Sequence, residues 1–226
     1  MKVIQNLVSP SKHNIKCPYS MNAEFIVVHN TYNDASARNE VAYMINNNSS
    51  TSFHYAIDDK EIVQGIPENR NAFHAGDGGN GKGNRKGLSV EICYSKSGGQ
   101  RFIEAEKLAA KFIASKLKEK NWGIDKVKKH QDFSGKYCPH RTLDMGWQRF
   151  LNMIQAELDD LKSEERITMT LQKWQEEMGK KALDSLNKKK DNFGNPIVNS
   201  PEDWKKTLGD NVPQWLFWSI IDRISK

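Results

Sequence analysis

The segment HQDFSGKYCPH (His130 to His140) sets a histidine, a lysine and a cysteine on one short loop, with Ser134 and Gly135 small enough to let the chain fold back. Imidazole nitrogen and thiolate sulfur are donors that zinc favours, and a catalytic zinc takes three protein ligands and leaves the fourth position for water. A further donor ends EFIVVH (Glu24 to His29), a short apolar run rich in β-branched residues that reads as a buried strand. His29, His130 and Cys138 are therefore the candidate ligands. A candidate base accompanies them: in SVEIC, Glu91 alternates with Val90 and Ile92 and faces the other side of its strand from both.

The elements that must position these residues alternate in type. After the His29 strand, Asp34 can cap a helix in which Val41, Met44 and Ile45 share a face, stopped by the NNNSS cluster. SFHYAID and EIVQG predict a hairpin around Asp58, Asp59 and Lys60. The glycine-rich stretch AGDGGNGKGNRKG (75 to 87) reads as a flexible surface loop beside a groove; it lacks GK followed by Ser or Thr, and it leads into the strand LSVEICY rather than a helix, so it binds no nucleotide phosphate. Leu108, Phe112, Ile113 and Leu117 recur at helical spacing between Ala105 and Lys120. WGIDKVKKHQ follows as strand and turn, and a second helix runs from Leu143 to Leu161 with Trp147, Phe150, Leu151, Ile154 and Leu158 in its stripe. The expected architecture is α/β, a central mixed β-sheet flanked by helices with a metal groove, covering residues 1–162. SEER (Ser163 to Arg166) reads as a linker or a solvated helix tail. Residues 163–226 read as a small helical module with four of the chain's six tryptophans, Trp174, Trp204, Trp215 and Trp218, in two helices around a turn at 191 to 201.

Composition sets limits on partners. The 226 residues carry a net charge of +6, which suits an anionic partner. No Lys/Arg run exceeds three residues (Lys188 to Lys190) and no finger or ribonucleoprotein signature occurs, so nucleic acid is not the expected partner. From Ser163 onward 11 Lys/Arg face 10 Asp/Glu, leaving a balance of +1, so the basic excess belongs to the first domain. Three cysteines, Cys17, Cys93 and Cys138, are too few and odd in number for a disulfide framework, and the first two read as inert. There is no run of 18 apolar residues, hence no expected membrane span, and MKVIQNLVSPSKHN lacks a signal-peptide core, which points to synthesis in the cytoplasm without a signal peptide. Nothing in the sequence fixes the oligomeric state.

VVHNTYN, SFHYAID, AFHAGDG, LSVEICYSKSGG and HQDFSGKYCPH stand in an order and spacing that resembles the type 2 N-acetylmuramoyl-L-alanine amidases, a family including phage endolysins and peptidoglycan recognition proteins, over residues 1 to 160. The resemblance is nearest to endolysins of phages infecting Bacillus. It implies a Zn2+ hydrolase that cuts the amide between N-acetylmuramic acid and L-alanine in bacterial peptidoglycan, with anionic wall polymers as a further partner and holin-mediated release as the route to the wall. It carries the ligand roles onto His29, His130 and Cys138, and the catalytic roles onto Glu91 as base and Lys136 as oxyanion partner. His74 is expected at the substrate or behind a ligand. Many members have a tyrosine where Phe53 precedes His54, so the hydroxyl is missing here and weight moves to Glu91. His54 itself is expected to be a core histidine bonded to backbone. Non-catalytic relatives typically lack the cysteine that Cys138 supplies, which favours the enzyme over a recognition module. A purely structural zinc would call for a fourth protein ligand. The tryptophans of 163–226 suit either sugar stacking in wall binding or a core stripe made by Trp215, Trp218, Ile221 and Ile224.

Overall fold

The computed structural model describes residues 1–191, 193–198, 200–206 and 221, without the side chains of 167–171. Trp215, Trp218 and Ile224, and so most of the expected stripe, lie outside the described residues. In chain order the elements are β1 (Val3–Gln5), α1 (His13–Lys16), β2 (Phe25–Asn30), α2 (Ala37–Asn46), β3 (Tyr55–Ile57), β4 (Ile62–Gln64), α3 (Lys82–Lys86), β5 (Gly87–Ile92), α4 (Gly99–Glu119), β6 (Val127–Lys129), α5 (Gln131–Ser134), α6 (His140–Asp144), α7 (Trp147–Asn187) and α8 (Pro201–Lys206). The chain divides into two compact units, Met1–Lys162 and Ser163–Lys226.

One six-stranded sheet, ordered β1-β4-β3-β5-β2-β6, carries the first unit. Only β3 and β4 are antiparallel, forming the expected hairpin; the other pairs are parallel, so the sheet is mixed as the sequence led us to expect. Side chains alternate between faces along a strand, and the register divides them cleanly. Val28, Val90 and Tyr55 are laterally aligned on one face, where Tyr55 packs its ring 4.7 Å from Phe112 of α4. His29, Glu91 and Ala56 are aligned on the other. The apolar stripe of α4 (Phe102, Ala109, Phe112, Ile113 and Leu117) thus closes a dry core on the first face. Phe150, Ile154 and Leu158 of α7 join that core, and Arg149 pairs with the buried Glu106 of α4. Polar chemistry is left to the second face.

Three local expectations shift. Ser36, not Asp34, caps α2 by accepting from Asn39 N at 3.3 Å; Asp34 instead accepts from Ser97 N and Oγ at 2.9 and 2.6 Å. The helix expected from Leu143 to Leu161 breaks at Gly146, whose φ of +104° suits glycine; Leu143 belongs to α6, and α7 runs on through SEER to Asn187. The glycine-rich stretch contains α3 and is pinned rather than loose, as described below. In the second unit, Leu183, Ile197 and Val198 make a small apolar cluster with Leu186 and Trp204 against it, while Trp174 is 57% exposed.

The loop leaving β4 is held by an ionic cluster. Burial alone would raise the Glu68 carboxyl, but hydrogen bonds from Lys116 and Tyr55, with the charges of Lys116 and Lys120, outweigh it and hold Glu68 at about 2 against an ordinary 4.5. A depressed carboxylate stabilises the fold above its unfolded pKa and ceases to do so as pH falls through the folded one. Wild-type stability should therefore fall between about pH 5 and pH 2, by an amount on the order of 1–3 kcal/mol from this group. Denaturant titrations of Glu68→Gln at pH 7 and pH 3 should show a smaller pH difference than wild type.

Candidate active site

Three parallel strands assemble the site. Glu91 on β5 pairs with His29 on β2, while Val28 of β2 pairs with Lys129, the last residue of β6, which His130 follows. Neighbouring strands lie about 4.8 Å apart, so Glu91, His29 and His130 come side by side at the C-terminal edge of the sheet. His29 Nδ1 lies 3.0 Å from His130 Nδ1, 3.9 Å from Cys138 Sγ and 3.9 Å from Glu91 Oε1. The donor atoms of His29, His130 and Cys138, all buried, lie within 4.8 Å of one another, and Glu91 stands outside that group.

Cys138 reaches the site because its loop is tied at both ends. α5 makes one turn and stops at Gly135, in the left-handed region at φ +74° with its N–H donated to Gln131 O at 3.0 Å. Gln131 N then donates to Cys138 O at 3.0 Å and closes the loop. Beyond it, buried Asn30 at the end of β2 accepts at Oδ1 from Arg141 N (2.9 Å) and Thr142 N (3.2 Å), capping α6 from a neighbouring strand.

A further layer orients the rings. His29 Nε2 and His74 Nδ1 are 3.0 Å apart, and His130 hydrogen-bonds the backbone of Ala75. With Nδ1 turned toward the donor cluster, a His29 that bound a metal there would carry its proton on Nε2 and donate to His74. The segment holding His74 and Ala75 is fixed by buried Asn84, whose Oδ1 accepts from both backbone N–H groups at 2.7 Å. Asp77 fastens Gly83 N and Asn84 N in turn, at 2.6 and 3.3 Å. This network orders the glycine-rich stretch: a side chain at Gly83 would put Cβ 2.5 Å from Ala75 Cβ and 2.9 Å from the Phe133 ring.

A cleft of about 400 Å³ opens over the cluster, bounded by α2, the 47–52 loop, Tyr32 and Lys136. Phe53, 8% exposed, belongs both to the cleft wall and to the core. His54 is in the core, with Nδ1 2.9 Å from Ser89 Oγ and Nε2 2.9 Å from Arg70 O. Cys17 and Cys93 are buried and free. Fully buried Lys16 donates to Asn47 Oδ1 (2.9 Å) and Thr51 O (3.1 Å), holding the 47–52 wall with no carboxylate partner among the described residues.

Burial, with the neighbouring His74 and His130 and the Lys136 charge, pushes His29 well below the usual histidine range. Burial and Lys136 lower His130 as well. Both rings are therefore neutral at pH 7, the form a metal binds. Burial first, then the Glu91 charge, raises the Cys138 thiol to about 11, with Lys136 opposing. Burial and Glu40 raise Glu91 to about 8, again against Lys136. Glu91 Oε2 and Glu40 Oε1 are buried without a hydrogen-bond partner among the described residues. This is a pocket that disfavours net charge and presents unmet donors to a cation.

The residues fit zinc. Two nitrogens bound tetrahedrally at about 2.0–2.1 Å stand about 3.4 Å apart, and the His29–His130 separation of 3.0 Å is within a few tenths of that. Two imidazoles and one thiol, with no fourth protein donor in the group, are the donor set of an open, catalytic metal site rather than a closed structural one. Asn30, Asn84, Glu40 and Lys16 were not singled out from the sequence: Asn30 and Lys16 bond groups more than 30 positions away, and Asn84 bonds backbone groups 9 and 10 residues back with no repeating pattern to mark it.

Such a cluster at the edge of such a sheet defines an α/β framework with a candidate metal site. Residues 19–141 match the N-acetylmuramoyl-L-alanine amidase family, and the chain belongs to it. It is 64% identical over 162 residues to the N-acetylmuramoyl-L-alanine amidase CwlA of Bacillus subtilis, a match that takes in 71% of this chain and 60% of CwlA. It is 61% identical over 158 residues to XlyB of the same organism, covering 70% of this chain and 50% of that one. The chain thus spans half to three-fifths of the length of these relatives. The solved structure of PlyL superposes with a TM-score of 0.66 at 54% identity, over 68% of this chain and 97% of PlyL.

Asn30→Ala should leave the sheet intact but release the start of α6 and with it Cys138. Metal content of the purified variant should fall well below one equivalent while its circular dichroism stays unchanged; full metal content would show that Asn30 does not position the ligand.

Proposed function

We propose that this protein hydrolyses the amide joining the lactyl group of N-acetylmuramic acid to L-alanine in bacterial peptidoglycan, with zinc held by His29, His130 and Cys138. The observation that carries the reading is the buried His29–His130–Cys138 cluster beside Glu91 in a chain of this family. Zinc bound there would supply a Lewis acid and bring a water's pKa down to about 7.

The chain's own groups do the remaining work. Glu91 is raised to about 8, first by burial, and so is largely protonated at pH 7. The charge of bound zinc would lower it, and as the carboxylate it would take a proton from the attacking water and return it to the departing amine nitrogen. Lys136 offsets the negative charge that grows on the carbonyl oxygen, a role supported by its position in the cleft lining. His74 keeps the His29 ring in its ligating tautomer, and Phe53 contributes wall rather than a proton. Residues 1–162 are the proposed catalytic domain. Residues 163–226 are proposed as an accessory unit for the wall, supported by exposed Trp174.

Incubation with Gram-positive peptidoglycan should release free L-alanine amino termini detectable by mass spectrometry, lost with chelator and restored by zinc. Binding without new termini would instead favour a recognition module. Glu91→Gln should lower turnover about 10²–10⁴-fold at unchanged zinc content; loss of zinc in that variant would make Glu91 a structural support.

A further inference from the structure

Tyr32 stands at the cleft with its backbone in the left-handed region, φ +55°, and its side chain 71% exposed. Bulky residues avoid that conformation, whereas Gly, Asn and Asp enter it readily. If the chain needed only to turn at the end of β2, the neighbouring Asn33 would have been the cheaper residue to place there. Instead an aromatic side chain is held in the costly conformation, and the surroundings over-determine it. Tyr32 N donates to Ser95 Oγ at 2.7 Å. The Ser95 carbonyl accepts from Arg141 Nε at 2.6 Å and lies 3.1 Å from His140 Nε2. His140 in turn meets the Tyr32 ring edge-on, with centroids 4.7 Å apart at 62°. Ser95 itself is fully buried, so the support is rigid. Strained positions so supported gather at ligand-contacting sites.

The cleft walls differ in chemistry. The 47–52 loop offers amide and hydroxyl groups, with Asn47, Ser49 and Thr51 lining the opening, which suit the N–H and C=O groups of a peptide. Tyr32 offers a flat ring backed by an imidazole, which suits the C–H face of a pyranose. We propose that Tyr32 is the platform on which the sugar ring carrying the lactyl arm stacks. Its backbone strain fixes the ring where that sugar must lie when the amide reaches the His29–His130–Cys138 cluster. The inference rests on the amidase reading for its substrate, but it can be tested without any cleavage.

The probe is the N-acetylglucosaminyl-N-acetylmuramic acid disaccharide, which carries a free lactyl carboxylate and no amide there to hydrolyse. Its counterpart is an L-alanine-initiated stem peptide lacking sugar. Dissociation constants for both would be measured by NMR titration of the zinc-loaded 226-residue chain. Tyr32→Ala should weaken the disaccharide about tenfold, the size of one aromatic contact, and leave the peptide unchanged, while Tyr32→Phe binds both as wild type does. Tyr32→Gly retains the backbone conformation without the ring and should weaken the disaccharide equally, which separates the platform from its strained backbone. Undiminished disaccharide binding by Tyr32→Ala and Tyr32→Gly, no disaccharide binding by wild type, or a loss confined to the peptide would each overturn the assignment. Release of L-alanine termini from whole peptidoglycan is scored separately and decides only the amidase reading.

Discussion

The site depends on one constraint, the in-register parallel pairing of β5, β2 and β6. Parallel strands end on the same side of a sheet, so residues far apart in sequence meet there without any long side chain having to reach. Glu91 and His29 are register partners, and His130 follows a strand paired to the other side of β2. A slip of one residue in β2 would turn His29 into the apolar face covered by α4 and carry a hydrophobic neighbour into its place. The fully buried β2 strand is thus both the core of the sheet and the ruler of the His29–His130–Cys138 cluster.

Two asparagines convert that ruler into a closed site. Asn30, next to the proposed ligand His29, anchors the helix that follows the proposed ligand Cys138. Asn84 anchors the segment from which His74 and Ala75 meet the imidazoles of His29 and His130. Both are buried and satisfy backbone groups that would otherwise lack partners in a loop-rich edge. The low charge tolerance of the pocket follows from the same enclosure, because burial is the leading cause of every shift at His29, His130, Cys138 and Glu91.

What could be read in the sequence was what repeats or clusters locally. EFIVVH announced its strand through β-branched residues, the hairpin through its turn, and the α4 helix through its spacing. The cluster of His29, His130 and Cys138 was legible because unusual residue types sat at strand and loop ends, although their meeting depends on a pairing of β2 with β6 that no local pattern encodes. The failures are equally physical. Asp34 looks like a helix cap, but Ser36 lies closer to the first turn and Ser97 claims the carboxylate. Eight glycines and asparagines in residues 75 to 87 suggested looseness, yet Asp77 and Asn84 supply enough acceptors to fix the backbone.

Lys16 carries a consequence for how a ligand enters. An ammonium without a counter-ion in the interior is unfavourable, and among the described residues it is met by the neutral oxygens of Asn47 and Thr51. Those contacts immobilise the 47–52 wall as part of folding itself. A molecule arriving in the cleft therefore meets a surface already arranged, and little of its binding energy is diverted into freezing loose chain. Preorganisation of this wall is set by a residue in α1 that does not itself line the cleft.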